Sequence, residues 1–486
     1  MTDQTSPARP LKVAVVGAGP AGFYSAAQLL SGKAIEGEVR VDLFDRLPTP
    51  YGLVRFGVAP DHPKIKSVTR VYEKVGKKDG FRFFGGVEVG KDLTHEDLTA
   101  RYDAVIYTTG ASHDRRLGIP GEDLPGSVAA TDFVAWYNGH PDAKDLTFDL
   151  STKRAVVIGN GNVAVDVARM LALTPAELKV TDTADHAIEA LSNSEIEEIV
   201  ILGRRGLAQA AFTNPELREL GELEDADIVV SPSDVDLDEG SKNWLSRDGA
   251  DAREQKNVDI ATEYSTRTPS GKTRKVILRF LASPVKIIGT DRVEGIEIVK
   301  NELIADDDGW LSARPTSETE TIETGLILRS IGYRGRPLPG VPFDEQRATI
   351  DNLDGRVIDQ ESGEPVPGLY TAGWIKRGPS GIIGTNKKCA NDTIAELAAD
   401  HAAGKLTVPT DESDIAELVA QNAPDHVDFA GWLRIDAHEQ ALGEPQGRPR
   451  VKLVDVDEMT QVAHATADSE RWARTRYPDL RHYAVA

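Results

Sequence analysis

Two glycine-rich turns, at residues 17–22 and 159–164, carry the clearest chemical signal in this chain. The first reads Gly-Ala-Gly-Pro-Ala-Gly, follows the apolar run 13–16 and precedes the alanine- and leucine-rich segment 23–30. A buried strand, a tight turn and a helix in this order place backbone N–H groups at a helix N-terminus, where they can bind a pyrophosphate. The second turn, Gly-Asn-Gly-Asn-Val-Ala, repeats the arrangement after another apolar run. The chain is therefore expected to bind two dinucleotides.

Each glycine of the first turn has a separate steric role. Gly17 permits the tight turn, Gly19 lets a pyrophosphate approach the backbone, and Gly22 lets the helix pack closely on the strand. Asp45 ends a second apolar strand 23 positions after Gly22, where a carboxylate that binds a ribose is expected. Such turns also occur without a ligand, but here the strand, the helix and the acidic residue stand in register.

The second turn differs from the first at its ribose-binding position. The next apolar strand, 196–202, ends in Gly203-Arg204-Arg205 and has no acidic residue at that end. Two guanidinium groups suit a dianionic 2'-phosphate, which a carboxylate would repel. An arginine pair is more often a solvated basic corner, but its place after the second strand of a second nucleotide fold favours NADP. Two dinucleotides, one of them NADP, indicate an electron-transfer flavoenzyme.

Length and charge limit the classes of protein to which the chain can belong. Its 486 residues exceed what one hydrophobic core usually organises, so two domains are expected. The net charge of -22 opposes general binding to nucleic acids or anionic membranes. No apolar run approaches the length of about 18 residues that a membrane span needs. The first seven residues lack the basic and apolar regions of a signal peptide, and a cytoplasmic enzyme is expected.

The single cysteine, Cys389, excludes two kinds of redox chemistry. One cysteine cannot form a redox disulfide within the chain, and it cannot ligate an iron–sulfur cluster alone. We interpret Cys389 as a small packed side chain in the first turn of a helix and assign it no function.

Strand and helix patterns alternate along the chain, which indicates an α/β fold built from two Rossmann-like dinucleotide-binding domains. The first fold closes near residue 110, and a glycine- and proline-rich linker, 118–126, leads to the second. Residues 171–194 look like a helical insertion, and the acidic, polar segment 232–258 is expected to be a surface excursion. The segment Pro-Leu-Pro-Gly at 337–340 is read as the return crossing, which makes the first domain discontinuous.

These patterns predict the domain boundaries. The first dinucleotide-binding domain is expected to comprise residues 1–112 and 337–486, and the second, NADP-binding domain residues 113–336. The architecture resembles that of glutathione reductase without the redox disulfide.

Four separated motifs make the resemblance specific. Residues 373–379 read Gly-Trp-Ile-Lys-Arg-Gly-Pro, and the other three motifs are 47–63, 159–169 and 203–220. The sequence resembles the adrenodoxin-reductase-type ferredoxin-NADP reductases from about residue 11 to about residue 455.

The resemblance implies FAD in the first domain and NADP(H) in the second. Asp45 stands where relatives commonly have glutamate, which shortens the reach to the ribose without changing the cofactor. A helix starting near Thr385 and Asn386 is expected to direct its positive end toward the flavin. The FAD-binding residues implied are Gly17, Gly19, Ala21, Gly22, Asp45, Leu53, Val89, Trp374, Gly381, Ile382 and Ile383. The residues implied for NADP are Asn160, Gly161, Asn162, Val163, Arg204, Arg205 and Glu216, with Gly381 against the nicotinamide.

The resemblance also implies a polar pair near the nicotinamide, His62 and Glu219, from different domains. We assign it to orientation and electrostatic tuning, because hydride passes directly between two cofactors. An isolated histidine in a loop, as His62 is, more often has only a structural hydrogen bond.

The implied activity is that of a ferredoxin-NADP(+) reductase. NADPH would reduce FAD by two electrons, and single electrons would then pass to an external iron–sulfur ferredoxin that can feed cytochrome P450s. A monomer is expected. Ferredoxins are typically acidic, so a local basic surface is needed. Basic residues cluster at Lys272, Arg274, Lys275 and Arg279, which we name as docking candidates, and at Arg448, Arg450 and Lys452.

Two other functions stay open at this point. One is a different flavin oxidoreductase on the same architecture, such as a glutamate-synthase small subunit or a monooxygenase. The former normally has an N-terminal cysteine-rich region, which this sequence does not contain. The other is a non-catalytic flavoprotein that senses redox state.

Overall fold

The computed structural model describes residues 9–465, which form two compact units. The first unit contains the described residues up to His113 and from Tyr333 onward, and the second comprises Asp114–Gly332. The first unit is therefore built from two separate stretches of chain. The residues considered above for a targeting signal, 1–7, lie outside the described part.

The first unit is organised around a seven-stranded sheet with a parallel centre. Successive residues of the strand Leu11–Val16 alternate between two cores, since Val13 and Val15 pack on one face and Ala14 and Val16 on the other. A strand buried on both faces explains the unbroken apolar run in the sequence. The strand order is Asn352–Leu353, Arg356–Ile358, Pro365–Thr371, Ala104–Tyr107, Leu11–Val16, Val39–Asp45, Phe81–Gly85.

Helices cover both faces of this sheet. A two-stranded ribbon, Phe343–Asp344 with Thr349–Ile350, completes the unit, and short strands at His113–Asp114 and Tyr333–Arg334 lie where the chain passes between units. The helices are Pro20–Leu29, Leu53–Phe56, Pro63–Lys66, Thr69–Gly76, His95–Arg101, Trp374–Arg377, Ile383–Ala402, Ile415–Asn422, Phe429–Gly443, Val456–Ala463 and the 3-10 turn Glu444–Gln446.

The second unit contains a six-stranded parallel sheet. Ala155 and Val157 face the helices, whereas Val156 and Ile158 face a second, antiparallel sheet. The parallel order is Ser127–Ala129, Leu326–Arg329, Arg154–Ile158, Glu198–Leu202, Arg274–Arg279, Ala226–Val230, and the antiparallel strands are Ala282–Ile288, Gly295–Ala305 and Leu311–Glu323. The helices are Ala130–Tyr137, Pro141–Ala143, Asn162–Ala172, Pro175–Leu178, Asp185–Ser192, Leu207–Gln209, Asn214–Leu220, Pro232–Val235, Glu239–Ser246 and Ala252–Ser265.

The expected surface excursion at 232–258 is wrong. The segment folds into helices, and Trp244 and Val258 are buried in the core of the second unit. Its few large apolar residues pack on that core, namely Val235, Leu237, Trp244, Leu245 and Val258. A low average hydropathy therefore conceals a buried side of the segment. The insertion at 171–194 does contain two helices, as expected.

Candidate functional site

The first glycine turn opens onto the N-terminus of the helix Pro20–Leu29. Gly17 has a φ of 106°, and a Cβ there would lie 2.6 Å from the carbonyl oxygen of Thr108. A Cβ at Gly22 would lie 2.1 Å from the carbonyl oxygen of Gly17, so the helix packs against the turn only because this residue is glycine. A Cβ at Gly19, in contrast, would meet no described atom within 4 Å. Gly19 therefore borders open space at a helix N-terminus, the geometry that a pyrophosphate needs.

Asp45 ends its strand beside this turn. One carboxylate oxygen, Oδ2, accepts a hydrogen bond from the N–H of Ala18 at 2.8 Å, and Oδ1 accepts one from the N–H of Leu47 at 3.0 Å. Burial raises the pKa of Asp45, although these two hydrogen bonds oppose the rise. Because a carboxylate has about four acceptor positions, Asp45 can hold the turn and still accept from ribose hydroxyls.

Several residues implied for FAD come together around Ala21. A Cβ at Gly373, directly before Trp374, would lie 2.7 Å from the Cβ of Ala21. Gly52, directly before Leu53, also approaches the turn, since a Cβ at Gly52 would lie 3.0 Å from the Cα of Gly19. The structure therefore brings the loops before Leu53 and Trp374 to the first turn, although they are distant in sequence.

The loop after Trp374 leads into a long helix. The indole Nε1 of Trp374 donates to the carbonyl oxygen of Ser380 at 3.1 Å, and Gly381 has a φ of 78°. The helix begins at Ile383, two residues before the start expected from the sequence. Its third residue, Thr385, accepts a hydrogen bond from the N–H of Ile382 at 3.2 Å. Ile382 is 64% exposed, whereas Val89, also implied for FAD, is buried in the core of this unit.

A buried ion pair anchors the loop 47–63, and sequence reasoning missed it. Arg55 donates two hydrogen bonds to Glu439 at 2.5 and 2.8 Å, and Arg450 contacts the same carboxylate at 3.0 Å. Burial alone would raise the pKa of Glu439, but the charges of Arg55 and Arg450 outweigh it and lower the pKa. Nearby, the indole of Trp432 donates to the hydroxyl of Tyr51 at 3.2 Å.

His62 belongs to this loop and directly precedes the short helix Pro63–Lys66. It is half-buried, and its carbonyl oxygen accepts a hydrogen bond from the N–H of Ile65 at 3.1 Å. Cys389 is buried, and its Sγ accepts a hydrogen bond from the N–H of Gly373 at 3.2 Å. Cys389 thus packs as a small side chain, as expected, although it lies in the second turn of its helix.

In the second unit, the turn at Gly161 opens onto the helix Asn162–Ala172. A Cβ at Gly161 would meet no described atom within 4 Å, so this N-terminus also borders open space. The carbonyl oxygen of Asn160 accepts from the N–H groups of Ala211 and Phe212, both at 3.0 Å. Val163, the second residue of the helix, is half-buried. The two units thus present the same strand, turn and helix arrangement.

The arginine pair lies at the end of the strand Glu198–Leu202, as the sequence indicated. Arg204 is exposed and Arg205 half-buried. Among residues 9–465, no carboxylate forms a salt bridge with either guanidinium. Burial, followed by the charge of Arg204, lowers the pKa of Arg205. A dianionic ligand would remove this repulsion between the two arginines.

Arg169 is a functional candidate that sequence reasoning missed. It lies in the helix after the second turn and is 3% exposed. Its guanidinium contacts Asp166 at 2.8 Å, Glu216 at 3.1 Å and Glu219 at 3.3 Å. Both acidic residues implied for the NADP site are thus held by one buried cation. Two opposite charges three positions apart, Asp166 and Arg169, within the mostly apolar helix Asn162–Ala172 were the available signal.

Most of the basic residues singled out from the sequence are not surface charges. Arg274 is buried and donates to three backbone carbonyl oxygens, and Arg279 pairs with Glu320 at 2.8 Å. Arg450 pairs with two carboxylates. The docking surface expected around Arg274 is therefore wrong, although Lys275 is exposed.

Within the described part of the chain, no helix has both the length and the apolarity that crossing a bilayer requires.

Comparisons with known proteins agree with this geometry. Residues 11–202 match the pyridine nucleotide-disulphide oxidoreductase family. The chain is 48% identical over 457 residues to NADPH-ferredoxin reductase FprA of Mycobacterium leprae, covering 93% of this chain and 98% of that protein. It is 41% identical over 478 residues to the mitochondrial NADPH:adrenodoxin oxidoreductase of Salvelinus fontinalis, covering 95% and 93%.

A solved structure gives the same result. The structure of Mycobacterium tuberculosis FprA in complex with NADPH superposes with a TM-score of 0.88 at 46% identity, covering 94% of this chain and 100% of that one. This similarity confirms the predicted α/β fold class, and it confirms FAD and NADP(H) as the cofactors of the family. The chain belongs to the NADPH-ferredoxin reductase family, which also includes the adrenodoxin reductases.

Proposed function

We propose that this chain is an FAD-dependent NADPH-ferredoxin reductase. The observation that supports it best is the pair of open helix N-termini. One directly follows Gly19 and lies at the turn that Asp45 holds, and the other is accompanied by Arg204 and Arg205. FAD, when bound, can accept two electrons from NADPH and release them singly to an iron–sulfur protein. The protein's part is to bind, orient and shield the reacting groups.

The first unit supplies the residues that fit FAD. The space above Gly19 is free of side chains, and a Cβ there would not be tolerated once a pyrophosphate occupied it. Asp45 offers acceptor positions beyond those used by Ala18 and Leu47. The loop before Trp374 closes against Ala21. We assign the isoalloxazine environment to Trp374 together with Leu53, Val89, Gly381, Ile382 and Ile383.

The second unit supplies the residues that fit NADP(H). Gly161 and Asn162 begin the helix whose free N–H groups can bind the pyrophosphate. Arg204 and Arg205 are free of carboxylate partners among the described residues, so their charge is available to a 2'-phosphate. We propose that these arginines select NADPH over NADH.

We propose that His62 and Glu219 orient the nicotinamide and tune the charge near it. Glu219 is 37% exposed and contacts the buried Arg169 at 3.3 Å. Arg169 would fix the side-chain directions of Glu219 and Glu216, since its guanidinium contacts both carboxylates. Neither residue is required to bind FAD.

The proposed partner is an acidic ferredoxin, and a basic face of the first unit supports this proposal. Lys64, Arg70 and Lys74 are exposed on two consecutive helices. Within residues 9–465, no carboxylate pairs with these three cations. Ile65 and Val71 are 42% and 48% exposed beside them. Positive charge around a small apolar contact suits a transient docking site in a chain with a net charge of -22.

A monomeric, cytoplasmic protein remains our proposal, consistent with one buried cysteine. The similarity to an adrenodoxin oxidoreductase supports an adrenodoxin-like ferredoxin as the partner, and we propose that this ferredoxin feeds cytochrome P450s. A reconstituted P450 monooxygenation assay with such a ferredoxin would test that link.

The decisive experiment mixes the purified yellow protein with NADPH in the absence of oxygen and then adds a [2Fe-2S] or [4Fe-4S] ferredoxin. Cytochrome c reduction reports onward electron transfer, and NADH is the comparison substrate. We expect the flavin absorbance to bleach quickly with NADPH and turnover to depend on ferredoxin. Flavin reduction without ferredoxin-dependent turnover would contradict the proposal and indicate a monooxygenase or a redox sensor.

A further inference from the structure

The backbone of the arginine turn is held by residues far along the chain. The N–H of Ala282 donates to the carbonyl oxygen of Gly203 at 3.0 Å, and the N–H of Leu281 donates to that of Arg205 at 3.1 Å. The carbonyl oxygen of Arg204 accepts from the side-chain amide of Asn301 at 2.7 Å. The carbonyl oxygens of Gly203, Arg204 and Arg205 therefore all accept hydrogen bonds from residues in the antiparallel sheet or directly before its first strand.

Leu281 reaches this turn in a strained conformation. Its φ is 53°, in the left-handed region that residues with a Cβ rarely adopt. Its carbonyl oxygen accepts a hydrogen bond from the backbone N–H of Asn301 at 2.7 Å. Leu281 and Asn301, which hold the carbonyl oxygens of the two arginines, are thus hydrogen-bonded to each other. Strain of this kind persists where the surroundings enforce it, and it is concentrated at functional sites.

Asn301 lies where the antiparallel pairing is irregular. The register between the strands Gly295–Ala305 and Leu311–Glu323 shifts between Val299 and Asn301. Such irregularities redirect a side chain beside active sites. Asn301 is 2% exposed, and its amide nitrogen also contacts the hydroxyl of Ser283 at 2.8 Å. Its amide oxygen has no hydrogen-bond partner among residues 9–465, an arrangement that does not favour stability.

The arginine pair needs this support because its two like charges lie side by side without a carboxylate. Among the described residues, the guanidinium of Arg205 donates only a long hydrogen bond, 3.5 Å, to the carbonyl oxygen of Gln209. Side-chain contacts therefore do little to fix the pair. The direction in which both side chains leave the turn is set by the backbone, and the backbone is set by Leu281 and Asn301.

We propose that Asn301 is a positioning residue for nicotinamide-nucleotide selection, which holds the turn so that Arg204 and Arg205 face one 2'-phosphate together. Leu281 assists, because its N–H donates to the carbonyl oxygen of Arg205 while its own carbonyl oxygen accepts from Asn301. This inference rests on the proposed function, in which the arginine pair binds the 2'-phosphate.

The test compares kcat/KM for NADPH and for NADH in Asn301→Ala. We expect the KM for NADPH to rise about tenfold while kcat and the NADH parameters stay unchanged, because only the binding of the 2'-phosphate is weakened. Binding of adenosine 2',5'-bisphosphate, measured by calorimetry against 5'-AMP, should weaken by the same factor. Thr316→Ala is the matched control, since its hydroxyl also bonds a backbone carbonyl of this hairpin, at 2.9 Å.

Leu281→Gly provides a second variant that keeps the fold, since glycine adopts a φ of 53° without strain. The turn should become more mobile, and the ratio of kcat/KM for NADPH to kcat/KM for NADH should fall about threefold. An unchanged ratio in both variants, or equal losses with both nucleotides, would overturn the inference. If Arg204→Gln also left the ratio unchanged, the proposed 2'-phosphate site itself would fail. A lowered ratio in Arg204→Gln alone would refute only the role of Asn301.

Discussion

Replacing one arginine of the pair tests the nucleotide site most directly. In Arg204→Gln or Arg205→Gln, one guanidinium is lost while the rest of the turn is retained. Neither arginine has a carboxylate partner among the described residues, and burial with the charge of Arg204 lowers the pKa of Arg205. Removing one charge from the free protein therefore relieves repulsion, and we expect no loss of thermal stability. Any loss of activity would then report on nucleotide binding.

The size of the effect follows from the contacts that a 2'-phosphate would make. A hydrogen bond to a charged group contributes about 1.5–3 kcal/mol, and 1.4 kcal/mol corresponds to a factor of about ten. Each single variant should therefore raise the KM for NADPH roughly 10- to 100-fold. The KM for NADH should change little, because NADH has no 2'-phosphate.

Anaerobic stopped-flow measurement of flavin bleaching gives the rates with both nucleotides at constant ionic strength. Arg292→Gln is a suitable control, because this arginine of the same unit is 73% exposed and 3.9 Å from its acidic partner. If both nucleotides lost affinity equally, or if the NADPH parameters matched those of the control, the assignment of the arginine pair would be refuted.

Four further predictions concern other parts of the chain. Glu439→Gln should lower the free energy of urea unfolding by about 3 kcal/mol, because it leaves the buried guanidinium of Arg55 without a carboxylate partner. The same change at the more exposed Glu396 should cost less than about 1 kcal/mol; equal losses would refute this. Because the folded-state pKa of Glu439 lies below its ordinary 4.5, its stabilisation is present above pH 4.5 and lost as the pH falls through the folded value. The gap between wild type and Glu439→Gln in unfolding free energy should therefore shrink in acid; a constant gap would contradict this. Arg169→Met should lower kcat/KM for NADPH about tenfold without loss of bound FAD, and released flavin would argue against a local role. The double variant Lys64→Glu, Arg70→Glu should raise the KM for ferredoxin and weaken the dependence of that KM on salt. Flavin bleaching by NADPH should stay normal. An unchanged salt dependence would exclude the face of Lys64, Arg70 and Lys74 as the docking site.

The two nucleotide turns could be predicted because they are local. A strand, two or three glycines and a helix follow one another within about 20 residues, so the pattern can be recognised from neighbouring residues alone. The arginine pair was also found from its position, since it directly follows a strand. The structure places Gly17, Gly22, Arg204 and Arg205 in the elements that were expected.

Contacts between distant segments could not be predicted in this way. Arg55 and Glu439 are 384 positions apart, and no local pattern connects them. Arg274 was misjudged for the same reason, since a basic residue in a charged run gives no sign that three carbonyl oxygens surround it. The segment 232–258 was misjudged because its average polarity was weighed above its few large apolar residues, which pack on the core of the second unit.

The sequence by itself determined which chemistry the chain can support: two dinucleotide-binding turns, an arginine pair suited to a 2'-phosphate and no cysteine pair for disulfide reduction. Only the tertiary structure decided how those groups are held. Arg169 contacts Glu216 and Glu219 because two helices pack together. Asn301 contacts Arg204, 97 positions earlier in the sequence, because the antiparallel sheet packs against the end of the parallel strand. Turn geometry depends on neighbouring residues, whereas the pairing of buried charges and amides depends on which distant elements share a core.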